Sequence, residues 1–440
     1  MGNVMDKKSD TQAAGGITGA SGNLSRRGFL TVTCSGGLAL AGLMLGGCDR
    51  SSRESLGSLS SHTTFDNQIE ETPPPPEDTV EVVPNNQAAD TVLSKLSLEQ
   101  KVAQMFIVRP ESITGVEVVS VAGDRTRESL QSWPVGGLVY FEQNLYDTDQ
   151  TSTMLANTMQ YALDSSGIPL FLCVDEEGGE VSRVGSNPGF GVNDVGYTVD
   201  IGASNDAAYA KSAASYIASY LKPLGFNLNF APVCDIANNP YSDLMRWRSF
   251  GDNPDLVTRM ARAQVEGFME SKLLCCAKHF PGIGYAYGDS HDESMLSERS
   301  TDEMRETEFV PFRSVIQAGV PFIMVGHLDV PNVTGDYIPA SINYGVVQRL
   351  LREELGYGGL IITDALEMGA IRYYYSPEDS AVRAVNAGCD LILMPSDFEA
   401  AYYGVLDAVY SGEISEERIN QSLRRILNTK LQAMGNLFRI

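Results

Sequence analysis

Leu273-Leu274-Cys275-Cys276-Ala277-Lys278-His279-Phe280-Pro281-Gly282-Ile283-Gly284 is the stretch that decides the fold. Its first five residues form an apolar run of the length and composition of a parallel strand buried on both faces. A Lys-His pair follows, then a Pro-Gly turn and a glycine-rich loop, so Lys278 and His279 are expected at the carboxyl end of a strand. A few residues on stands Asp289-Ser290-His291. The chain has only four histidines, and two of them are His279 and His291. An Asp two positions from a His can accept the ring N–H, fix the tautomer and raise basicity at the other nitrogen.

Outward from this strand, seven further apolar runs have the same character. With 273–277, they occupy 105–108, 136–141, 169–174, 226–231, 321–325, 359–363 and 390–395. The segments between them carry helical periodicity, as in Val347, Leu350, Leu351 and Leu355 on one face. The last helix is expected to start near Ser415, with Glu416 and Glu417 in its first turn, and to stop near Gly435. Eight alternating strand and helix units point to an α/β fold, a (β/α)8 TIM-type barrel. A doubly wound open sheet is the alternative, but no Gly-x-Gly-x-x-Gly follows the first run.

Charged residues gather where these runs end. Asp175 follows the third, Asp235 the fourth, Lys278 and His279 the fifth, His327 the sixth and Asp364 the seventh. In a barrel those ends converge on one mouth, so residues far apart in sequence share a pocket. Helix capping is the competing explanation for Asp175 and Asp364, which both stand where a loop leads towards a helix.

The run from Lys278 to Gly284 with Asp289-Ser290-His291 resembles the signature of glycoside hydrolase family 3, in particular its single-domain bacterial β-N-acetylhexosaminidases. The resemblance continues in Leu96-Ser97-Leu98-Glu99-Gln100-Lys101 and Asp175-Glu176-Glu177-Gly178-Gly179. It extends through Arg248-Ser249-Phe250-Gly251 and Thr363-Asp364-Ala365-Leu366-Glu367-Met368. The resemblance implies a barrel and a retaining exo-glycosidase that removes terminal β-linked N-acetylglucosamine (GlcNAc), with no cofactor and no metal. It makes Asp364 the nucleophile, His291 the acid/base and Asp289 the residue that orients it. Asp175, Arg183, Arg248, Lys278 and His279 would hold the terminal sugar. Retaining hydrolysis needs such a nucleophile and proton donor, and a histidine can supply the proton near neutral pH. Three positions depart from the family pattern. Glu180 stands where an arginine is usual and Ile283 where histidine or leucine is usual, and the acidic run Asp292-Glu293 after His291 lacks the expected proline. Tyr285 and Tyr287 give that loop an aromatic face, suited to sugar stacking or to ordinary loop packing.

Residues 1–47 read as an export signal. Ser25-Arg26-Arg27-Gly28-Phe29-Leu30 resembles a twin-arginine signal, and Leu45-Gly46-Gly47-Cys48 a lipoprotein processing box with Cys48 as the lipidated residue. An uncleaved transmembrane anchor is the rival, disfavoured because a span needs about 20 predominantly apolar residues. Residues 48–92, rich in serine, proline and acid, read as a disordered linker, and 93–440 as the barrel domain. The expected location is therefore outside the cytoplasm, lipid-anchored to a bacterial membrane. The net charge of −24 argues against nucleic acid as a partner. Cys173, Cys234, Cys275, Cys276 and Cys389 lie in or beside apolar runs and read as buried free thiols.

The expected partner is a GlcNAc-terminated glycan or muropeptide of cell-wall turnover, and a monomer is expected. Two-domain β-glucosidases of the family draw an acid from a second domain, for which the residues after the last helix leave no room. A phosphorylase of the same family is the near alternative. A metal-dependent barrel hydrolase is the distant one, with His279 and His327 as ligands. It lacks the His-x-His expected on a first strand, where Met105-Phe106-Ile107-Val108-Arg109 stands.

Overall fold

The computed structural model describes residues 87–240, 245–288 and 295–439. Eight parallel strands form one sheet: β1 (Phe106–Val108), β2 (Gly137–Tyr140), β3 (Phe171–Val174), β4 (Leu228–Asn229), β5 (Leu274–Phe280), β6 (Phe322–Val325), β7 (Leu360–Thr363) and β8 (Ile392–Leu393). Each pairs in parallel with its predecessor, and β8 pairs with β1 through Phe106↔Ile392 and Ile107↔Leu393. A parallel bridge between Ile362 and Leu391 joins β7 to β8 and closes the barrel. Apart from Tyr140, Asn229, Lys278, His279 and Thr363 every strand residue is apolar or small, and all are buried, as parallel strands covered on both faces require. The doubly wound alternative is thereby excluded.

Local chemistry sets the helix boundaries. Ser97 and Gln100 form a capping box, and Asp147, Asp206, Asn253, Asp397 and Ser415 cap later helices through their side chains. Gly167, Gly225 and Gly388 end helices with positive φ, which glycine adopts without steric cost. The helical run around Val347, Leu350 and Leu351 buries the expected face, but it is wound with wider, π-type turns over Gly345–Glu354.

Two expectations are corrected. The fifth strand does not stop at Ala277; it runs through Lys278 and His279 to Phe280, its register against β6 shifting between Ala277 and Phe280. Both polar side chains are thus carried by the sheet itself, not by the loop after it. Residues 87–92, assigned from composition to the linker, lie in the helix Gln87–Leu93, which buries Ala89, Val92 and Leu93. That helix is fastened to the last one by an ion pair between Asp90 and Arg424 at 3.0 Å. The signal segment and the linker up to residue 86, including Cys48, lie outside the described residues. Among the described residues no helix is long and apolar enough to cross a membrane. All five domain cysteines are free and buried.

The C-terminal helix Glu416–Met434 runs beneath the barrel, across the amino ends of the strands. Arg418 donates to the carbonyl of Cys389, and Ser422 and Arg425 to the buried carboxylate of Asp390, just before β8. Lys430 donates to the carbonyl of Gly136, just before β2, and lies 4.8 Å from the ring centre of Phe171 on β3. Asn227, before β4, reaches Met434. The floor is thus bolted from below, and the carboxyl ends of the strands are left for chemistry.

Candidate active site

At those carboxyl ends the side chains of four loops meet. Lys278 Nζ lies 2.6 Å from Asp175 Oδ1 and 2.7 Å from Glu177 Oε1. Glu177 also accepts a forked pair of bonds from Arg248, at 2.9 Å from Nε and 2.8 Å from Nη2. Two carboxylates and two cations therefore alternate in a buried chain from Asp175 to Arg248. Burial opposes the charge on Glu177, but Arg248 and Lys278 outweigh it and hold its carboxyl far below the usual range. Burial likewise disfavours the cations, and their carboxylate partners raise both Arg248 and Lys278 above their ordinary values. All three shifts favour the charged forms of Glu177, Arg248 and Lys278.

Beside it lies Asp364, one residue past β7 and partly accessible. Its Oδ1 accepts from the N–H of Ala365 at 2.8 Å, and its own N–H donates to Val325. Burial alone would raise its pKa. The imidazoles of His279 and His327, the Ala365 N–H and the Lys278 ammonium together pull it below the ordinary value. Neither Asp364 nor Asp175 caps a helix: the next helix after Asp364 has Met368 at its N-cap position, and Asp175 is bound to Lys278. The capping explanation fails for both.

The two nearby histidines have different environments. His279 Nδ1 lies 2.7 Å from the fully buried Asp235, which also accepts the N–H groups of His279 and Ile283. This fixes the ring and leaves Nε2 as the available nitrogen. His327 uses both nitrogens, Nε2 donating to the carbonyl of Ala365 at 2.9 Å and Nδ1 accepting from Ser341 at 2.7 Å. Burial pushes its pKa down, against the opposing pull of Asp364 and the Ala365 carbonyl. With both nitrogens committed, His327 is a strut under the Asp364 loop and not a metal ligand. Among the described residues no group of three or more His, Cys, Asp or Glu is arranged to hold a metal ion.

Arg183 enters from the loop after β3. Glu176, at the root of that loop, accepts from the N–H groups of Arg183, Val184 and Gly185 and from the hydroxyls of Ser182 and Tyr220. One buried carboxylate thus folds the whole loop back on itself. The Arg183 guanidinium lies 5.8 Å from the centre of the Phe141 ring, and its buried Nε has no hydrogen-bond partner among the described residues. A buried donor left unpaired is costly unless a bound group satisfies it.

Five sequence-predicted ligand residues and Asp364 thus fall at one end of the barrel, where Asp175, Arg248 and Lys278 share the ion network and His279 and Lys278 act on Asp364. Asp289 and His291, with Asp292 and Glu293, lie outside the described residues. Asp235 was noted at a strand end without an assigned role, and Glu176 and Glu177 were not singled out as site residues. Their only signal was an acid-rich segment at a strand end, where nothing local reveals which cation each will meet. Two of the three departures from the family pattern fall within the described residues. Glu180 is exposed, and Ile283 is buried and contributes its N–H to Asp235. One face of Tyr285 lies against the Arg299 guanidinium at 3.9 Å, whereas Tyr287 remains exposed.

Residues 97–429 match the glycosyl hydrolase family 3 N-terminal domain. The chain belongs to glycosyl hydrolase family 3. Within this family it is 34% identical over 331 residues to a protein of Pseudoalteromonas piscicida named β-hexosaminidase A, an alignment covering 69% of this chain and 55% of that protein. It is 30% identical over 349 residues to a β-hexosaminidase of Mycobacterium tuberculosis, covering 76% and 83% respectively. A solved family 3 β-N-acetylglucosaminidase from Paenibacillus superposes with a TM-score of 0.72 at 38% identity, over 77% of this chain and 62% of that one. The chain spans little more than half the length of the Pseudoalteromonas relative. The barrel of this family 3 chain accounts for the whole matched region.

Proposed function

We propose that this family 3 protein is a retaining exo-β-N-acetylglucosaminidase acting on GlcNAc-terminated glycans such as cell-wall fragments. The observation that carries the reading is Asp364. It is a partly accessible carboxylate at a strand end, held ionised beside His279 and next to a neutral cluster of fixed charges suited to sugar hydroxyls. The family relatives named for hexosaminidase and β-N-acetylglucosaminidase activity support the choice of sugar. In this mechanism Asp364 attacks the anomeric carbon as the bond to the leaving oxygen breaks, and His291 protonates that oxygen. Water, deprotonated by His291, then attacks the same carbon and frees Asp364 with overall retention. Asp175, Arg183, Arg248, Lys278 and His279 hold the sugar, and Asp289 orients His291.

Purified protein is expected to release p-nitrophenol from the β-GlcNAc glycoside and to give the β-anomer of GlcNAc first. Added phosphate should leave the product unchanged; GlcNAc 1-phosphate as the product would establish a phosphorylase instead. His291→Ala should slow substrates with poor leaving groups about 10²–10⁴-fold while sparing activated aryl glycosides, because only the former need the proton. Equal loss on both substrate types would move the acid role to Asp292 or Glu293.

The same reading places the protein outside the cytoplasm, anchored through lipid on Cys48 after twin-arginine export. The sequence Leu45-Gly46-Gly47-Cys48 behind Arg26-Arg27 supports it. Cys48→Ala should abolish incorporation of labelled acyl chains. A wild-type protein that carries no label and retains residues 1–47 would reject the anchor.

A further inference from the structure

Tyr197 and Trp247 form an exposed aromatic pair beside the charged cluster. Their ring centres are 5.6 Å apart at 51°, and 39% and 43% of their surfaces remain exposed. Large aromatic rings left in water at a fixed spacing are an expense that a packed loop avoids. Here both rings are also built onto the sugar-binding cluster. Trp247 directly precedes Arg248, whose guanidinium is clamped on Glu177. Tyr197 packs over Gly179, two residues past Glu177, so closely that a Cβ at Gly179 would stand 2.6 Å from the tyrosine ring. Gly179 has φ +61°, a second reason for glycine there. The N–H of Val199 donates to the carbonyl of Trp247 at 3.3 Å, tying the two loops together, and the Arg246 guanidinium lies 5.0 Å from the Trp247 ring centre.

The Glu177–Arg248 ion pair is therefore linked to the aromatic pair from both sides, through Gly179 under Tyr197 and through Trp247 next to Arg248. A β-linked GlcNAc ring has an apolar face of axial C–H groups with hydroxyls around its edge. Such a ring stacks on an exposed aromatic side chain while its rim stays hydrated. We propose that Tyr197 and Trp247 form a binding site for the sugar on the leaving-group side of the scissile bond. The substrate class favoured by this site is an oligosaccharide chain of β-linked GlcNAc, in preference to glycosides with small aglycones. The proposal rests on the glycosidase reading above and specifies its substrate.

The chain contains only two tryptophans, Trp133 and Trp247, which makes the site directly observable. In full-length protein carrying Trp133→Phe, with Asp364→Asn to stop turnover, chitotriose should change the Trp247 fluorescence saturably and free GlcNAc should not. In protein with Asp364 intact, Trp247→Ala should raise KM for chitotriose about tenfold more than KM for methyl β-GlcNAc, the size of one good stacking contact. Tyr197→Ala should do the same to a smaller extent, and Trp247→Tyr should restore most of the oligosaccharide KM. A silent Trp247 in the titration, or equal KM changes on both substrates, would overturn the platform. Failure of the wild type to cleave either glycoside would refute the glycosidase reading instead, and the fluorescence titration would still report on the platform.

Discussion

Asp364→Asn is expected to reduce turnover by about 10⁴-fold or more while leaving the barrel folded. The amide oxygen can still accept the Ala365 N–H, and the N–H of residue 364 still donates to Val325, so the backbone of the loop keeps its partners. What disappears is the negative charge that its surroundings favour. A slow-turnover fluorinated sugar should label Asp364 covalently in the wild type and leave the Asn variant unlabelled. Azide should restore glycosidic cleavage to Asp364→Ala and yield an α-glycosyl azide, because the external anion attacks from the face that the carboxylate vacated. Full activity in the Asn variant, or a label mapped to another peptide, would remove Asp364 from this role. An unchanged thermal transition in the same sample would show that the loss is chemical and not structural.

Glu177→Gln is expected to damage both stability and substrate binding, which separates it from Asp364→Asn. The wild-type cluster balances two carboxylates against two cations; the variant leaves Lys278 and Arg248 with Asp175 alone. Breaking one partner of a buried ionic group typically costs roughly 3–5 kcal/mol, because the remaining charge is stranded in a poor dielectric. Arg248 and Lys278 would also lose their alignment, and displacement of positioning groups by about 1 Å can cost roughly 10²-fold in kcat/KM. KM should rise more than kcat falls, since Glu177 acts through the groups that hold the sugar.

The acid limb of stability gives an independent readout. The folded-state carboxyl of Glu177 sits below its ordinary value of 4.5, so its contribution is complete above that pH. It is lost as the pH falls from 4.5 towards the depressed folded value, where the folded protein holds fewer protons than the unfolded chain. Glu177→Gln should therefore lose stability less steeply than the wild type on acidification below 4.5. A variant with wild-type denaturation midpoint and wild-type KM would show that the ion pair does not organise the site.

The fold was legible because each barrel strand announces itself locally. Runs such as Leu360-Ile361-Ile362 and Phe322-Ile323-Met324-Val325 are buried on both faces and need no partner to be recognised. Ser415 and the glycines closing the helices mark boundaries through chemistry contained in a few consecutive residues. The extent of β5 was misjudged because Lys278 and His279 look like loop residues by polarity. Their burial is tolerated only because Asp175, Glu177 and Asp235 meet them. The helix at Gln87–Leu93 was missed for the opposite reason. It is only seven residues long, and it is held by docking against the last helix through Asp90 and Arg424.

By itself, then, the sequence determined the order of the eight strands, their helices, and which ionisable residues stand at strand ends. Those follow from periodicity, caps and turn residues, all interactions between near neighbours. Only the tertiary structure decided the pairings: Glu177 rather than Glu176 with Arg248 and Lys278, Asp235 with His279, and His327 spent on Ser341 and Ala365. It also decided that Glu176 folds its own loop and that Trp247 meets Tyr197. A side chain's charge partner and dielectric surroundings are set by barrel closure, which brings residue 177 against residues 248 and 278. No local pattern encodes a distance across that many residues of chain.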